Sequence, residues 1–368
     1  MALERVVKPW IRDLEPYQPG KPAEELDREL GIIGSLKLAS NESPLGPSPL
    51  ALAAMRDALA NVHRYPDGAS FGLRRKLAAR LGVDGEQLVF GAGADEILEL
   101  LAKVLLGPGD ECVFAWPSFA MYPIVVLGMG ARPVAVPLDR GLVHDLPAMA
   151  RALNERTRLV FVCNPNNPTG TSVGRDAFDR FASGLPAEVV LAIDEAYVDF
   201  ARRPDFPDSL GWVGRRPGTI ALRTFSKAYG LAGLRVGYGV ADPELAGYLQ
   251  RARHPFNVNR LAEVAAEAAL DDREYTQRLR RVNSEGIEYL TRELRALGFE
   301  VWPSDANFVL AKPLLSDARI FERLLHEGVI VRSLAGFGMP EHVRISVGLP
   351  EENERLVKAL RRIAESGA

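Results

Sequence analysis

Short apolar runs that alternate with helical patterns between residues 88 and 240 constrain the fold of this chain more than any other feature. The strand-like runs are 88–90, 111–115, 124–127, 132–137, 158–163, 188–193, 219–222 and 235–240. The run 158–163 is almost continuously apolar, as expected for a strand that is covered on both faces. The alternation predicts an α/β fold with a doubly wound, mostly parallel sheet, which binds ligands beyond the carboxyl ends of its strands.

Residues suited to binding follow several of these predicted strands at that end. They are Gly93, Tyr122, Asn167, Asp194 and Lys227. The lysine lies in the stretch 224–235, Thr-Phe-Ser-Lys-Ala-Tyr-Gly-Leu-Ala-Gly-Leu-Arg, which surrounds it with small hydroxyl and glycine residues. A lone lysine is usually an exposed, solvated residue. Here the hydroxyl groups and Arg235 indicate a place that holds a phosphate beside an amine.

A glycine-rich turn at 91–96, Gly-Ala-Gly-Ala-Asp-Glu, lies between a predicted strand and a predicted helix. A dinucleotide-binding fingerprint has a third glycine where this chain has Glu96, because the helix must pack closely on the strand. A nicotinamide-dependent dehydrogenase is therefore disfavoured. The first free amides of the helix, at Gly93, Ala94 and Asp95, still point toward an anion. We interpret the turn as a phosphate cradle for a cofactor the size of a mononucleotide.

The length of 368 residues suits two domains of unequal size. We predict an N-terminal arm at 1–45, a large domain at 46–260 and a small domain at 261–368. The arm is rich in proline and polar residues, so it cannot form its own core and must lie on another part of the protein. The small domain is predicted as α+β, with strands at 307–311, 329–332 and 342–347 and helices at 316–327 and 351–365.

Charge and cysteine content limit the partners and the compartment. A net charge of −3 gives no basic surface for nucleic acid or an anionic membrane. No apolar run approaches the ~20 residues of a membrane span, and residues 1–12 lack a signal-peptide core. Cys112 and Cys163 lie in apolar runs, which favours buried thiols in a cytoplasmic protein. The five histidines are scattered, so no metal site is predicted.

Three ordered motifs carry a resemblance to a known family. They are Asn-Pro-Asn-Asn-Pro-Thr-Gly at 164–170, Asp-Glu-Ala-Tyr at 194–197, and Ser-Lys-Ala at 226–228 with Leu-Ala-Gly-Leu-Arg at 231–235. This set resembles the pyridoxal-phosphate aminotransferases of the aspartate aminotransferase fold, and within them the histidinol-phosphate aminotransferases. The resemblance covers nearly the whole chain. It implies fold type I of these transferases and a homodimer whose active sites are shared between the subunits.

The resemblance implies roles around the cofactor ring. Lys227 would bind the aldehyde of pyridoxal phosphate, and Asp194 would keep the pyridine nitrogen protonated, since a nearby negative charge raises the pKa of a cation. Asn167 and Tyr197 would share the phenolic oxygen. Tyr122 would stack on the ring, with Trp116 as the alternative.

Phosphate and substrate contacts follow from the same resemblance. The cofactor phosphate would be held by Thr224, Ser226, Arg235, the amides of Gly93, Ala94 and Asp95, and Tyr65 from the partner subunit. Substrate would be held by Tyr17, Asn41, Asn167, Arg332 and Arg344. The two arginines follow or lie within predicted strands, and guanidinium groups match phosphate or carboxylate oxygens.

The resemblance implies a reaction in which histidinol phosphate and 2-oxoglutarate interconvert with imidazole-acetol phosphate and glutamate, a step of histidine biosynthesis. Two related activities stay open. One is an aromatic amino acid aminotransferase, in which Arg344 would bind a carboxylate. The other is a threonine-phosphate decarboxylase, a lyase that needs no oxo-acid. A regulator that senses pyridoxal phosphate is disfavoured, because no basic helix-turn-helix segment precedes residue 45.

Overall fold

The computed structural model describes residues 3–12, 14–17, 19–313 and 319–366. The strands are β1 Leu36–Lys37, β2 Leu88–Gly91, β3 Glu111–Trp116, β4 Arg132–Pro137, β5 Thr157–Cys163, β6 Val190–Asp194, β7 Thr219–Thr224, β8 Gly237–Ala241, β9 Phe299–Val301, β10 Phe308–Pro313, β11 Val329–Ile330, β12 Arg332–Ser333 and β13 Val343–Ser346. The α-helices are α1 Pro9–Arg12, α2 Ala23–Leu30, α3 Pro49–Ala58, α4 Phe71–Leu81, α5 Ala94–Leu105, α6 Met121–Gly128, α7 Leu146–Arg151, α8 Arg175–Ser183, α9 Ser209–Arg215, α10 Pro243–Ala252, α11 Arg260–Ala269, α12 Arg273–Ala296, α13 Ile320–His326 and α14 Pro350–Ser366. Short 3-10 helices lie at Leu3–Arg5, Leu59–Asn61, Gly85–Gln87, Val198–Phe200, Ala232–Leu234 and Ala335–Phe337.

A seven-stranded sheet forms the centre of the large domain, in the order β2-β8-β7-β6-β5-β3-β4. Strand β8 is antiparallel to both of its neighbours, and the other pairs are parallel. The predicted α/β fold with a mostly parallel sheet is therefore confirmed. The carboxyl ends of β5, β6 and β7 lie side by side, so the residues that follow these strands share one edge of the sheet.

Helices cover both faces of this sheet, which explains why its central strands are so apolar. On β5, Leu159 and Phe161 belong to the core on the side of α5, α6 and α10. Val160 and Val162 belong to the core on the opposite side, with α7 and α8. Successive residues of a strand point to opposite faces, so each face of β5 needs its own apolar residues.

The strand predicted at 124–127 is wrong, because these residues belong to helix α6. The buried side chains of α6 are Tyr122, Val125 and Val126, which recur at helical spacing. Pro123 lies in the first turn, where a proline removes no helical hydrogen bond. A short apolar run has no clear period, so its sequence is compatible with either a strand or a buried helix.

A smaller antiparallel sheet with the order β12-β13-β10-β9 forms the centre of the C-terminal part. Helices α12 and α14 pack on it around a core that includes Leu290, Val309 and Leu360. Strand β9 was not predicted. The prediction of a helix at 316–327 includes residues 316–318, which lie outside the described residues. The preceding helix α11 packs with the core of the large domain, where Ala262 and Ala266 are buried.

The N-terminal part contacts helix α6 and forms a separate two-stranded sheet with β11. Trp10, on α1, donates from Nε1 to the carbonyl of Gly128 at the end of α6 (3.1 Å). Strand β1 pairs in parallel with β11, with Leu36 opposite Val329. The arm therefore joins the large domain at one end and the small domain at the other. Among the described helices, we find none that combines the length and apolar character needed to cross a membrane.

Candidate active site

A cavity opens where the carboxyl ends of β5, β6 and β7 meet the arm and the small sheet. Most of the predicted site residues line it together, namely Tyr17, Asn41, Ala94, Asp95, Asn167, Asp194, Tyr197, Thr224, Ser226, Lys227, Arg235, Arg332 and Arg344. The arm contributes Gly20, Ala39 and Ser40 as well, and the large domain contributes Phe119 and Cys163. Gly93, Tyr122 and Tyr65 are not among the lining residues.

Asp194 is the last residue of β6 and is buried at the floor of the cavity. Its Oδ2 accepts a hydrogen bond from the Tyr122 hydroxyl (2.8 Å) and its Oδ1 accepts one from the Ala196 amide (3.1 Å). Burial raises the pKa of the Asp194 carboxyl to about 6, although both hydrogen bonds oppose that rise. A cation in the cavity would lower this pKa and keep the carboxylate charged.

Tyr122 cannot present a ring face to a ligand, contrary to the prediction. Its side chain is completely buried and stacks on Phe161 with ring centroids 4.6 Å apart. Trp116, the alternative, stacks on Phe337 instead. Of the aromatic residues in this segment, Phe119, just before α6, lines the cavity. The aromatic cluster was visible in the sequence, but its assignment required knowing that a helix begins at residue 121.

Lys227 follows β7 and directs its amine into the cavity. Nζ donates a hydrogen bond to the carbonyl of Ser40 in the arm (3.1 Å) and lies 5.9 Å from the ring centroid of Tyr197. Burial, helped by the positive charge of Arg344, lowers the pKa of the Lys227 amine to about 8. A neutral, nucleophilic amine is therefore easier to form here than on a solvated lysine.

An anion site lies at the start of α5. Gly93 caps this helix with a φ of 83°, and an added Cβ would collide with the guanidinium of Arg235. Arg235 pairs with Asp95 (Nη2 to Oδ2, 2.9 Å) and its Nη1 donates to the Ser226 hydroxyl (3.4 Å). A free helix end, a guanidinium and hydroxyl groups together suit a phosphate.

Asn167 and Tyr197 also line the cavity. Oδ1 of Asn167 accepts a hydrogen bond from Nη1 of Arg344. The Tyr197 hydroxyl accepts one from Nδ2 of Asn41 (2.9 Å). Burial raises the pKa of Tyr197, so its hydroxyl keeps its proton. The Asn167–Pro168 peptide bond is cis.

Two arginines from the small sheet form the outer end of the cavity. Arg332 on β12 is directly opposite Arg344 on β13 in the antiparallel pairing. Arg344 is buried, donates from Nη2 to the carbonyl of Ala39 (2.7 Å) and has a pKa lowered by burial. The guanidinium of Arg332 lies 6.0 Å from the ring centroid of Tyr17. The three side chains together suit an anionic group of a substrate.

Tyr65 lies outside the cavity of its own chain. Its side chain is 82% exposed and its ring stacks on Phe256 at a centroid distance of 4.7 Å. A part for Tyr65 in any active site would thus require a second subunit.

The profile of the family described as aminotransferase class I and II matches residues 33–360 of the chain. Histidinol-phosphate aminotransferase 1 of Nitrosococcus oceani is 47% identical over 355 residues, covering 96% of each chain. Histidinol-phosphate aminotransferase 2 of Pseudomonas aeruginosa is 49% identical over 360 residues, covering 97% of each. The crystal structure of the Sinorhizobium meliloti histidinol-phosphate aminotransferase with pyridoxal-5'-phosphate superposes with a TM-score of 0.89, at 30% identity and 98% coverage of each chain.

These matches extend over both sheets and over all three motifs of the cavity. The floor, the amine and the anion site described above therefore lie within the matched region. The chain belongs to the class I and II aminotransferase family.

Proposed function

We propose that this protein is a pyridoxal-phosphate-dependent aminotransferase that transfers the amino group of histidinol phosphate to 2-oxoglutarate, forming imidazole-acetol phosphate and glutamate in histidine biosynthesis. The names of the relatives support histidinol phosphate as the amino donor. The observation that carries the proposal is that the Lys227 amine, the Asp194 carboxylate and the pair Arg332 and Arg344 line one cavity. An amine, a buried acid and an anion clamp are the groups that this reaction needs.

The described residues fit the cofactor part by part. The phosphate suits Arg235, Thr224, Ser226 and the start of α5. The ring would lie against Phe119 with its nitrogen toward Asp194, and the Asn167 carboxamide and the Tyr197 hydroxyl would bind its phenolic oxygen. When bound, pyridoxal phosphate supplies a ring that accepts the electron pair released at the substrate carbon.

The residues of the chain would orient the reactants and move one proton. Lys227 would hold the cofactor aldehyde, and its free amine would take the proton from the substrate carbon, as an amine with a pKa of about 8 is suited to do near neutral pH. Asp194 balances a positive charge at the ring nitrogen. Arg332, Arg344 and Tyr17 hold the substrate phosphate, and Asn41 closes the cavity from the arm.

Steady-state rates with three amino donors test the proposal. We expect the largest kcat/KM with histidinol phosphate and an absolute need for 2-oxoglutarate. A preference for phenylalanine would instead identify an aromatic aminotransferase, and release of carbon dioxide from threonine phosphate without an oxo-acid would identify a decarboxylase. Lys227→Ala should lower kcat by more than about 10³-fold. An unchanged rate in that variant would refute the mechanism for every donor.

We also propose that the protein works as a homodimer in the cytoplasm. Within one chain, the other residues proposed to bind the phosphate line the cavity, but Tyr65 lies outside it and is exposed. Tyr65 could therefore reach a phosphate only in the cavity of a second subunit. Further exposed apolar side chains surround it in sequence or space, namely Leu59, Val62, Phe71 and Phe256. Cys112 and Cys163 are buried free thiols, which supports a reducing compartment.

A further inference from the structure

The arm segment 38–41 is bound by residues from both domains. The amide of Ser346 on β13 donates to the carbonyl of Leu38 (2.9 Å). Arg344 donates to the carbonyl of Ala39 and Lys227 to that of Ser40. Nδ2 of Asn307 donates to the carbonyl of Asn41 (3.0 Å). Every carbonyl of this segment therefore has a fixed direction, and Asn41 is held between the small sheet and the cavity floor.

Ser346 makes two hydrogen bonds with Asn41 through a single hydroxyl. Its Oγ accepts from the backbone amide of Asn41 (2.8 Å) and lies 3.0 Å from Oδ1 of the same residue. Both side chains are buried. A backbone amide can only donate, so the serine uses a lone pair there and keeps its proton for the carboxamide. If the carboxamide turned its nitrogen toward Ser346, the serine proton would be buried without an acceptor, which is costly. Ser346 thus determines which way the Asn41 carboxamide faces.

The direction of that carboxamide decides what the Tyr197 hydroxyl does. With Oδ1 on Ser346, Nδ2 of Asn41 faces Tyr197 and donates to its oxygen (2.9 Å). The tyrosine proton is then available for donation into the cavity that this residue lines. With the carboxamide reversed, Oδ1 would instead accept the tyrosine proton. Among the ionisable groups around Tyr197, Arg344 lowers the pKa of its hydroxyl, and Cys163 and Asp194 raise it. The amine of Lys227 faces the ring.

We propose that Ser346 is a positioning residue for the aminotransferase reaction: through Asn41 it makes the Tyr197 hydroxyl a donor to the phenolic oxygen of the cofactor. This inference rests on the proposed function, since it concerns how the cofactor is bound. Ser346 does not line the cavity and was not predicted from the sequence, because its effect reaches the site through a second residue.

The pH dependence of the visible absorbance of the holoenzyme tests this assignment without measuring turnover. A donor to the phenolic oxygen stabilises its anionic form, so loss of the donor should raise the absorbance midpoint. We expect a rise of about one pH unit in Tyr197→Phe and a rise in the same direction in Ser346→Ala. The double variant should shift no further than Tyr197→Phe alone, because Ser346 acts through that hydroxyl.

Two control variants separate positioning from general loosening of the arm. Asn307→Ala removes the hydrogen bond to the Asn41 carbonyl but leaves the carboxamide fixed, so it should lower the melting temperature without moving the midpoint. Ser346→Thr keeps the hydroxyl and should keep the wild-type midpoint. An additive double variant, or an equal shift in Asn307→Ala, would overturn the assignment.

The outcome also separates this inference from the proposed function. A shift in Tyr197→Phe with none in Ser346→Ala would remove the role of Ser346 and leave the aminotransferase intact. A wild-type protein that acquires no visible absorbance with pyridoxal phosphate would overturn both.

Discussion

Asp194 illustrates a conflict between stability and function at a single residue. Burial raises the pKa of the Asp194 carboxyl in the native state to about 6, whereas the ordinary pKa of an aspartate is 3.8. Between these values the native state holds more protons than the unfolded state, so the free energy of unfolding falls as the pH rises. The charged carboxylate therefore destabilises the cofactor-free fold at neutral pH, and only a cation beside it would offset that cost.

Asp194→Asn should make the cofactor-free protein more stable and the enzyme less active. We expect a gain of up to about 3 kcal/mol in the free energy of unfolding at pH 8. The gain should be smaller than this, because Tyr122 and Ala196 donate to different oxygens of Asp194, and the asparagine NH2 group would replace one of those two acceptors. We expect kcat to fall about 10²-fold or more, since the ring nitrogen loses its counter-charge. Urea unfolding and steady-state assays measure the two effects, and a destabilised apoprotein with unchanged kcat would contradict both.

At the residue scale, motifs that follow neighbouring strands predict side chains that lie close together, and Asn167, Asp194 and Lys227 line one cavity. Asp194 ends β6, and Asn167 and Lys227 lie a few residues beyond the ends of β5 and β7, so the parallel order of these three strands brings the residues together. The prediction that Tyr122 stacks on the cofactor ring was wrong, because the direction of this side chain depends on helix α6, and the sequence had been interpreted as a strand there. Phe119 could have been found only by placing the first turn of α6 correctly.

At the scale of elements, the loop after β5 is fixed by one buried asparagine. Oδ1 of Asn166 accepts from the Ser118 hydroxyl (2.7 Å) and pairs with Nε2 of His144 (3.1 Å). Its Nδ2 donates to the carbonyl of Pro117 and to Thr169. The loop that carries Asn167 is thus tied to the turn after β3. Nδ1 of His144 is buried without a hydrogen-bond partner among the described residues, so a charged ring would bury an unpaired donor.

Acid should loosen this loop through His144. Burial lowers the pKa of His144 from 6.5 to about 4, so the unfolded state binds more protons below pH 6.5. The free energy of unfolding should therefore drop as the pH falls, by roughly 3 kcal/mol at pH 4. His144→Gln should lose less stability over this range, whereas the exposed His326→Gln should follow the wild type. Parallel curves for the wild type and His144→Gln would show that the histidine is not responsible.

A buried carboxylate aligns the amino ends of three strands. Glu111 opens β3, and its carboxylate accepts hydrogen bonds from Arg132 on β4 (2.7 Å), Arg156 before β5 (2.7 Å) and Asn154 (2.9 Å). Burial alone would raise the pKa of Glu111, but these three partners bring it below its usual value.

Glu111→Gln should cost stability without changing the chemistry. The glutamine NH2 group would face one of the donors that the carboxylate now accepts from, so we expect a cost of about 1.5 to 3 kcal/mol, as for hydrogen bonds to a charged group. Arg132 and Arg156 are more than half exposed and stay solvated in the variant. Glu354→Gln is the matched control, since it breaks an exposed pair with Lys358 (3.6 Å), and it should cost less than about 1 kcal/mol. Chemical unfolding compares the two. Equal losses in both variants would contradict the account, as would a lower kcat per folded molecule in Glu111→Gln.

The strands that were not predicted from the sequence are short strands stabilised by pairing with another strand. Strand β1 has two residues and exists because β11 pairs with it almost 300 positions later. Strand β9 has three residues and needs β10 beside it. Such short segments carry no period of their own, whereas the buried strands β5, β6 and β7 are long and apolar enough to be recognised from composition alone.

At the scale of the whole molecule, one chain supplies nearly all of the predicted site, and Tyr65 is the exception. Its ring is exposed beside Phe256, on a surface that also carries the exposed side chain of Val62. Exposed apolar clusters of this kind are typical of an interface. The proposed dimer would bury them and bring each Tyr65 to the anion site of the other subunit.

Mixing two inactive variants tests the shared site. Tyr65→Ala and Lys227→Ala should each be impaired alone, because each homodimer carries the same defect in both sites. If Tyr65 acts across the interface, unfolding and refolding the two together should restore activity, since a mixed dimer has one site with both defects and one with none. The mixture without refolding is the control. Activity that stays at the average of the two variants would contradict a shared site.

The hydrogen bonds on residues 38–41 also set the order in which this molecule can be built. Asn41 meets Ser346 across 305 positions, and a contact of such sequence separation forms late in folding. On the ribosome, the N-terminal portion emerges long before its partners on β13 have been synthesised. The central sheet can assemble first, but a nascent chain that stops before residue 343 would lack the contacts that fix Asn41 in place. Catalytic competence should therefore appear only after nearly the entire polypeptide has been translated.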